Sequence, residues 1–123
     1  MRTIERRRYG AEELPQKLER VIKAIRSVYE PERIILFGSA AGGGEWHDLD
    51  LLVVAETEDR FFERLKKIAL ALDTWTPTDI LILTPEELRV RIQENRFFLV
   101  EEILKKGRVV YERRRHPKLV QKR

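Results

Sequence analysis

Three apolar runs of strand length limit what this chain can fold into: Ile34-Ile35-Leu36-Phe37, Leu51-Leu52-Val53-Val54 and Ile80-Leu81-Ile82-Leu83. Each is too short for an ordinary helix and holds no polar residue, the pattern of a strand buried on both faces. A sheet covered on both faces needs helices, and the segments between the runs supply them. Leu14, Leu18, Val21, Ile22, Ile25 and Val28 recur at helical spacing and predict an amphipathic helix over about residues 12–29, with Pro15 tolerable in its first turn. Glu30-Pro31-Glu32 ends it. A second helix is expected from about Asp59 to Asp73, with Phe61, Phe62, Leu65, Ile68, Ala69 and Leu72 on its apolar side, and Thr76-Pro77 breaks it. Thr84-Pro85-Glu86-Glu87 reads as a helix start, with a hydroxyl N-cap, proline at the first position and acids near the positive dipole end. One helix, or two broken near Asn95, then runs to Lys106; Gly107 caps it and Arg108-Val109-Val110-Tyr111 offers a last short strand. The order αβ(loop)βαβαβ predicts an α/β (α+β) fold, a small mixed sheet flanked by helices.

At 123 residues the chain is expected to form one domain, over residues 13–112, between a basic N-terminal arm (1–12) and a basic C-terminal tail (113–123). The formal net charge of +4 comes from those ends. Of 25 basic and 21 acidic residues, four basic ones and one acid lie in the first eight positions and six basic ones follow Glu112, which leaves 15 basic against 20 acidic in the body. Short basic ends can touch nucleic acid or an acidic partner, or simply be solvated; without interleaved aromatics for base stacking, nucleic acid is the less favoured partner. There is no cysteine, which excludes disulfides, thiolate zinc sites and cysteine nucleophiles. No apolar stretch approaches the ~20 residues of a membrane span and no apolar region follows the basic start, so the expected compartment is the cytoplasm.

The chemistry gathers around the first two runs. The first stops at Gly38-Ser39, and a glycine-rich loop leads to Asp48-Leu49-Asp50, which opens the second. Asp48 and Asp50 are two residues apart on an expected strand and so share a face, where like charges and burial both oppose them. A hard divalent cation answers that opposition, although two solvated aspartates at a strand end fit the same pattern. A glycine directly after a buried strand lets the backbone approach a phosphate, and Ser39 can donate its hydroxyl and amide. Asp79 places a third carboxylate at the head of another apolar run. Three strand-borne acids facing a Gly-Ser loop suit metal-assisted phosphoryl transfer, where positioning and charge neutralisation do most of the work.

Leu36-Phe37-Gly38-Ser39, His47-Asp48-Leu49-Asp50-Leu51-Leu52-Val53-Val54 and Thr78-Asp79-Ile80-Leu81-Ile82-Leu83-Thr84-Pro85-Glu86-Glu87 resemble the minimal nucleotidyltransferases of the polymerase-beta-like superfamily, and Glu101 to Glu112 resembles the close of these domains. The resemblance implies that Gly38 and Ser39 contact the phosphates of an NTP, with ATP the expected one. It implies that Asp48, Asp50 and Asp79 hold Mg²⁺ or Mn²⁺, with Asp79 also activating an acceptor hydroxyl. Many such proteins are antitoxins paired with a helical HEPN-type toxin, which some adenylylate on a tyrosine. A HEPN-type partner is therefore implied, a homo-oligomer is compatible, and no membrane is involved. A non-catalytic antitoxin that neutralises its partner by binding alone remains the alternative.

Two positions depart from the family pattern. Family members often carry an arginine shortly after Gly-Ser and a serine just before D-x-D; Ala40-Ala41 and His47 stand there. Losing the arginine removes a phosphate contact. Gly42-Gly43-Gly44 disfavour a helix after the phosphate motif and predict a mobile loop. His47 either reaches substrate or is a partly exposed loop residue, and Trp46 either stacks on a base or partner or closes the loop onto the body.

Overall fold

The computed structural model describes residues 7–72, 76–94 and 96–113. The expected helix end at Asp73, the Asn95 break and the tail from residue 114 lie outside the described residues. The elements are α1 (Leu14–Val28, after a 3-10 turn at Ala11–Glu13), β1 (Arg33–Phe37), a 3-10 helix (Gly38–Gly42), β2 (Leu49–Val54), α2 (Phe61–Ala71), β3 (Thr78–Leu83), α3 (Pro85–Gln93), a π-helical segment (Phe98–Lys105) and β4 (Arg108–Glu112). The expected mixed sheet and its element order are present. The strands lie in the order β3-β2-β1-β4, with β1 antiparallel to both β2 and β4, and β2 parallel to β3.

Alternation along the strands splits the core into two layers. Ile34, Leu36, Leu49, Leu51, Val53 and Ile82 face α1, whose Val21 and Ile25 are fully buried. Ile35, Leu52, Val54 and Leu83 face the other way, onto Leu99 and Ile103 of the π-helical segment. The helix at Thr84 starts as its sequence predicts. The Thr84 amide donates to Glu87 Oε1 at 2.9 Å, and Thr84 Oγ1 accepts from the Glu87 amide at 3.1 Å. Gly107 ends the π-helical segment by donating to the Ile103 carbonyl at 3.0 Å. A side chain there would overlap that carbonyl and stand 3.0 Å from the Leu36 carbonyl, so only glycine lets the chain return this close to β1.

Two sequence expectations are corrected. The apolar side of α2 is mostly in solvent: Phe61, Phe62 and Leu65 are exposed, and Ile68 is buried together with Arg64. The face is set by the buried guanidinium, not by hydropathy. Arg64 forks onto Glu87 (Nη1–Oε1 2.7 Å, Nη2–Oε2 3.0 Å) and donates to the carbonyls of Asp59 and Ile82, so one side chain ties α2 to β3 and α3. The segment after Gly38-Ser39 is also helical, as a 3-10 helix over Gly38–Gly42, before Gly43 turns the chain at φ +88. It is short enough that the helix cost of three glycines falls on its exit.

The Arg64 fork holds the Glu87 carboxyl down to about 2, aided by the Thr84 amide and opposed by burial. A carboxylate whose folded pKa is depressed contributes stability above its unfolded value and loses it as pH falls toward the folded value. Stability should therefore fall as pH drops from ~4.5 toward ~2, by on the order of 1 kcal/mol from this pair after discounting for the half-exposed Glu87 carboxylate. Acid titration of urea midpoints should show that slope in the wild type and a shallower one in Glu87→Gln. Equal slopes would remove the pair from the acid transition.

Candidate active site

Because β1 runs against β2 and β3, its C-terminal end meets their N-terminal ends at one edge of the sheet. Phe37 pairs with Asp50, and Asp50 stands opposite Asp79. Asp50 and Asp79 share the face of Leu52, Leu81 and Leu83, with their strands about 4.8 Å apart as in any ladder. Gly38 follows Phe37 at φ +73. A Cβ there would overlap Asp50 Oδ2 and lie 3.1 Å from Asp50 Cγ. The bare backbone of Gly38 thus leaves the space that the Asp50 carboxylate fills. Ser39 is exposed, and its Oγ accepts from the His47 amide at 3.3 Å, which ties the two ends of the loop.

Asp48 immediately precedes β2, and the three acids do not open on one space. Asp50 and Asp79 line a cavity of about 500 Å³ with Gly38, Phe37, Phe98 and Glu102. Asp48 lines a second, of about 340 Å³, with Arg7, His47, Pro77, Thr78 and, again, Asp79. Asp79 is the wall between them. Among the described residues no three His, Cys, Asp or Glu side chains form a cage for a metal ion. Such a cage is not what Mg²⁺ asks for: it is commonly held by one or two carboxylates plus substrate phosphates and water. Asp50 and Asp79, hard oxygen donors side by side beside a stripped backbone, fit that need.

Trp46 does not take part. It is fully buried, its Nε1 donates to the Gly10 carbonyl at 3.0 Å, and its ring stacks on Tyr9 with centroids 4.5 Å apart. Its backbone exchanges two hydrogen bonds with Tyr9, of 2.9 and 3.0 Å. It closes the loop onto the body and leaves no face for a base.

Residues 19–116 match the family model described as Polymerase beta, Nucleotidyltransferase. The chain belongs to this nucleotidyltransferase family. No curated protein and no solved structure matched it. A nucleotidyltransferase takes an NTP, and the superfamily generally uses a divalent metal. The two cavities beside Asp79 include side chains that the sequence reading missed. Glu102 and Phe98 come from the π-helical segment, where the wider turn shifts side chains off the 3.6-residue register used to read a helix; π turns often occur at functional sites. Lys106 Nζ holds Glu102 Oε2 at 2.8 Å, and that carboxylate raises the Lys106 pKa. Arg7 was hidden in a run of basic residues, and its guanidinium stacks over the ring of the buried Tyr9. Among the described residues no helix is long and apolar enough to cross a membrane.

Proposed function

We propose that the protein transfers a nucleotidyl group, AMP from ATP, to a hydroxyl acceptor. The observation that carries the reading is the row Gly38–Asp50–Asp79, in which a glycine-only backbone position stands against one of two neighbouring carboxylates at the mouth of a cavity. The backbone of Gly38 and the amide and hydroxyl of Ser39 receive the phosphates, while Phe37 and Phe98 offer apolar faces to the rest of the nucleotide. Asp50 and Asp79 would hold the divalent ion, with Asp48 on the other side of Asp79, and the ion would neutralise phosphate charge. Asp79 faces both cavities, so its carboxylate takes the proton of the acceptor hydroxyl. The acceptor oxygen then bonds to the α-phosphorus, and the bond to pyrophosphate breaks.

The acceptor we propose is a hydroxyl on a HEPN-type toxin that the protein neutralises, a role supported by the likeness of its motifs and of Glu101–Glu112 to the minimal nucleotidyltransferases. A second reading, neutralisation by binding alone, is favoured by one observation: Asp48 lines a different cavity from Asp50, in a chain whose loop lacks an arginine. Incubation with α-labelled ATP, Mg²⁺ and the partner should move label onto the partner and release pyrophosphate. Tight complex formation and metal-dependent ATP binding without label transfer would leave the binding-only role. No ATP binding at any metal concentration would end the transferase reading.

A further inference from the structure

The cavity on the far side of Asp79 has two properties of a built site. First, a cation stacks at its rim. Arg7 sits two residues before Tyr9, which is pinned to Trp46 by paired backbone hydrogen bonds and ring stacking, and its guanidinium lies 4.5 Å over the Tyr9 ring. Glu13 accepts from it at 3.4 Å, at the weak limit of a hydrogen bond, and the carboxylates of Asp48 and Asp79 line the same cavity. Second, His47 Nδ1 is buried and has no hydrogen-bond partner among the described residues, a condition that a native site normally relieves with a ligand or water. Among the described lining residues Arg7 is the only cation in this cavity, and the Gly38–Asp50 cavity has none. The positive charge thus lies on the far side of Asp79 from Gly38 and Asp50.

We propose that this second cavity is the acceptor subsite and that it takes a hydroxyl carried beside an oxyanion, with Arg7 meeting the oxyanion and His47 Nδ1 hydrogen-bonding to the acceptor. The assignment rests on the proposed role of Asp79, which is the wall common to both cavities. A planar guanidinium matches carboxylate and phosphate alike, so the shared chemistry is an oxyanion next to an alcohol. The volume of about 340 Å³ suits a small group of that kind.

The test uses the full chain with Mg²⁺ and a non-hydrolysable ATP analogue, and three small alcohols: glycerol, glycerate and glycerol 3-phosphate. Binding is followed by calorimetry and by the ¹⁵N ring signals of histidine. Glycerate, glycerol 3-phosphate or both should bind at least tenfold tighter than glycerol, and the one preferred distinguishes a carboxylate from a phosphate source. The His47 ring signals should move while those of His116 stay. Arg7→Gln should erase the preference and change the affinity for the ATP analogue by less than about twofold. His47→Leu should weaken all three alcohols. Equal binding of the three alcohols to the wild type overturns the proposal, as does an unmoved His47 signal. So does an Arg7→Gln variant that loses the ATP analogue instead, since that places Arg7 on the triphosphate. Loss of ATP-analogue binding in the wild type with the anion preference intact would sink the nucleotidyl-transfer reading and leave the anion site standing.

Discussion

Asp50→Asn is expected to lower Mg²⁺-dependent nucleotidyl transfer by about 10³-fold while the protein stays folded, as when a group that stabilises transition-state charge is removed. Asparagine keeps the shape that fills the space beside Gly38 but loses the charge proposed to hold the metal. Stability reports the same loss without any need for turnover. A ligand that binds only the folded site stabilises by mass action, about 2.7 kcal/mol at a hundredfold excess over Kd. Melting curves with and without Mg²⁺-ATP should separate clearly in the wild type and nearly coincide in Asp50→Asn. Without ligand, the two proteins should melt close together, because asparagine removes one of two like charges set opposite each other across β2 and β3. Full transfer by Asp50→Asn, or an equal ligand-induced shift in both proteins, would take Asp50 out of the site.

Gly38→Ala should be nearly as damaging to transfer, by at least ~10²-fold, and the damage should exceed its cost in stability. The methyl group would enter the space held by Asp50 Oδ2, and the backbone at φ +73 disfavours any L side chain. The left-handed conformation costs about 1–2 kcal/mol for alanine. The overlap itself is relieved cheaply, because the clashing atom is the end of a short side chain that can swing aside. Swinging aside moves the carboxylate off the metal position. Kinetics of Gly38→Ala beside its urea midpoint should therefore show a folded, weakened enzyme. A large stability loss with normal transfer per folded molecule would show that Gly38 serves the turn alone.

The three apolar runs and the caps at Thr84 and Gly107 were legible because each is a local signal: burial on both faces, a hydroxyl and proline at a helix start, a glycine at a helix end. Asp50, Asp79 and Gly38 were legible for a related reason, since they sit at strand ends that the apolar runs locate. What sequence alone could not give was set by contacts distant along the chain. Arg64 lies outside the apolar set expected of α2, and its buried fork depends on Glu87, 23 residues away. Phe61, Phe62 and Leu65 accordingly stay in solvent despite their hydropathy. Asp48 and Asp50 looked like a matched pair by alternation, but β2 begins at Leu49, so the rule does not govern Asp48. Glu102 was hidden by a π turn, for which the sequence carries no periodic mark.

The sealing of Trp46 sets what its fluorescence, isolated by Trp75→Phe, can report. An indole with no solvent exposure, stacked on Tyr9 and bonded to the Gly10 carbonyl, has an emission fixed by the seam between residues 9–10 and the loop. Quenchers in solution cannot reach it, and ligands entering either cavity touch other side chains. Its signal is therefore a gauge of whether that seam is closed. Since the Arg7 guanidinium stacks over the Tyr9 ring of the same seam, the emission of Trp46 also reports whether that ring is in place beneath it.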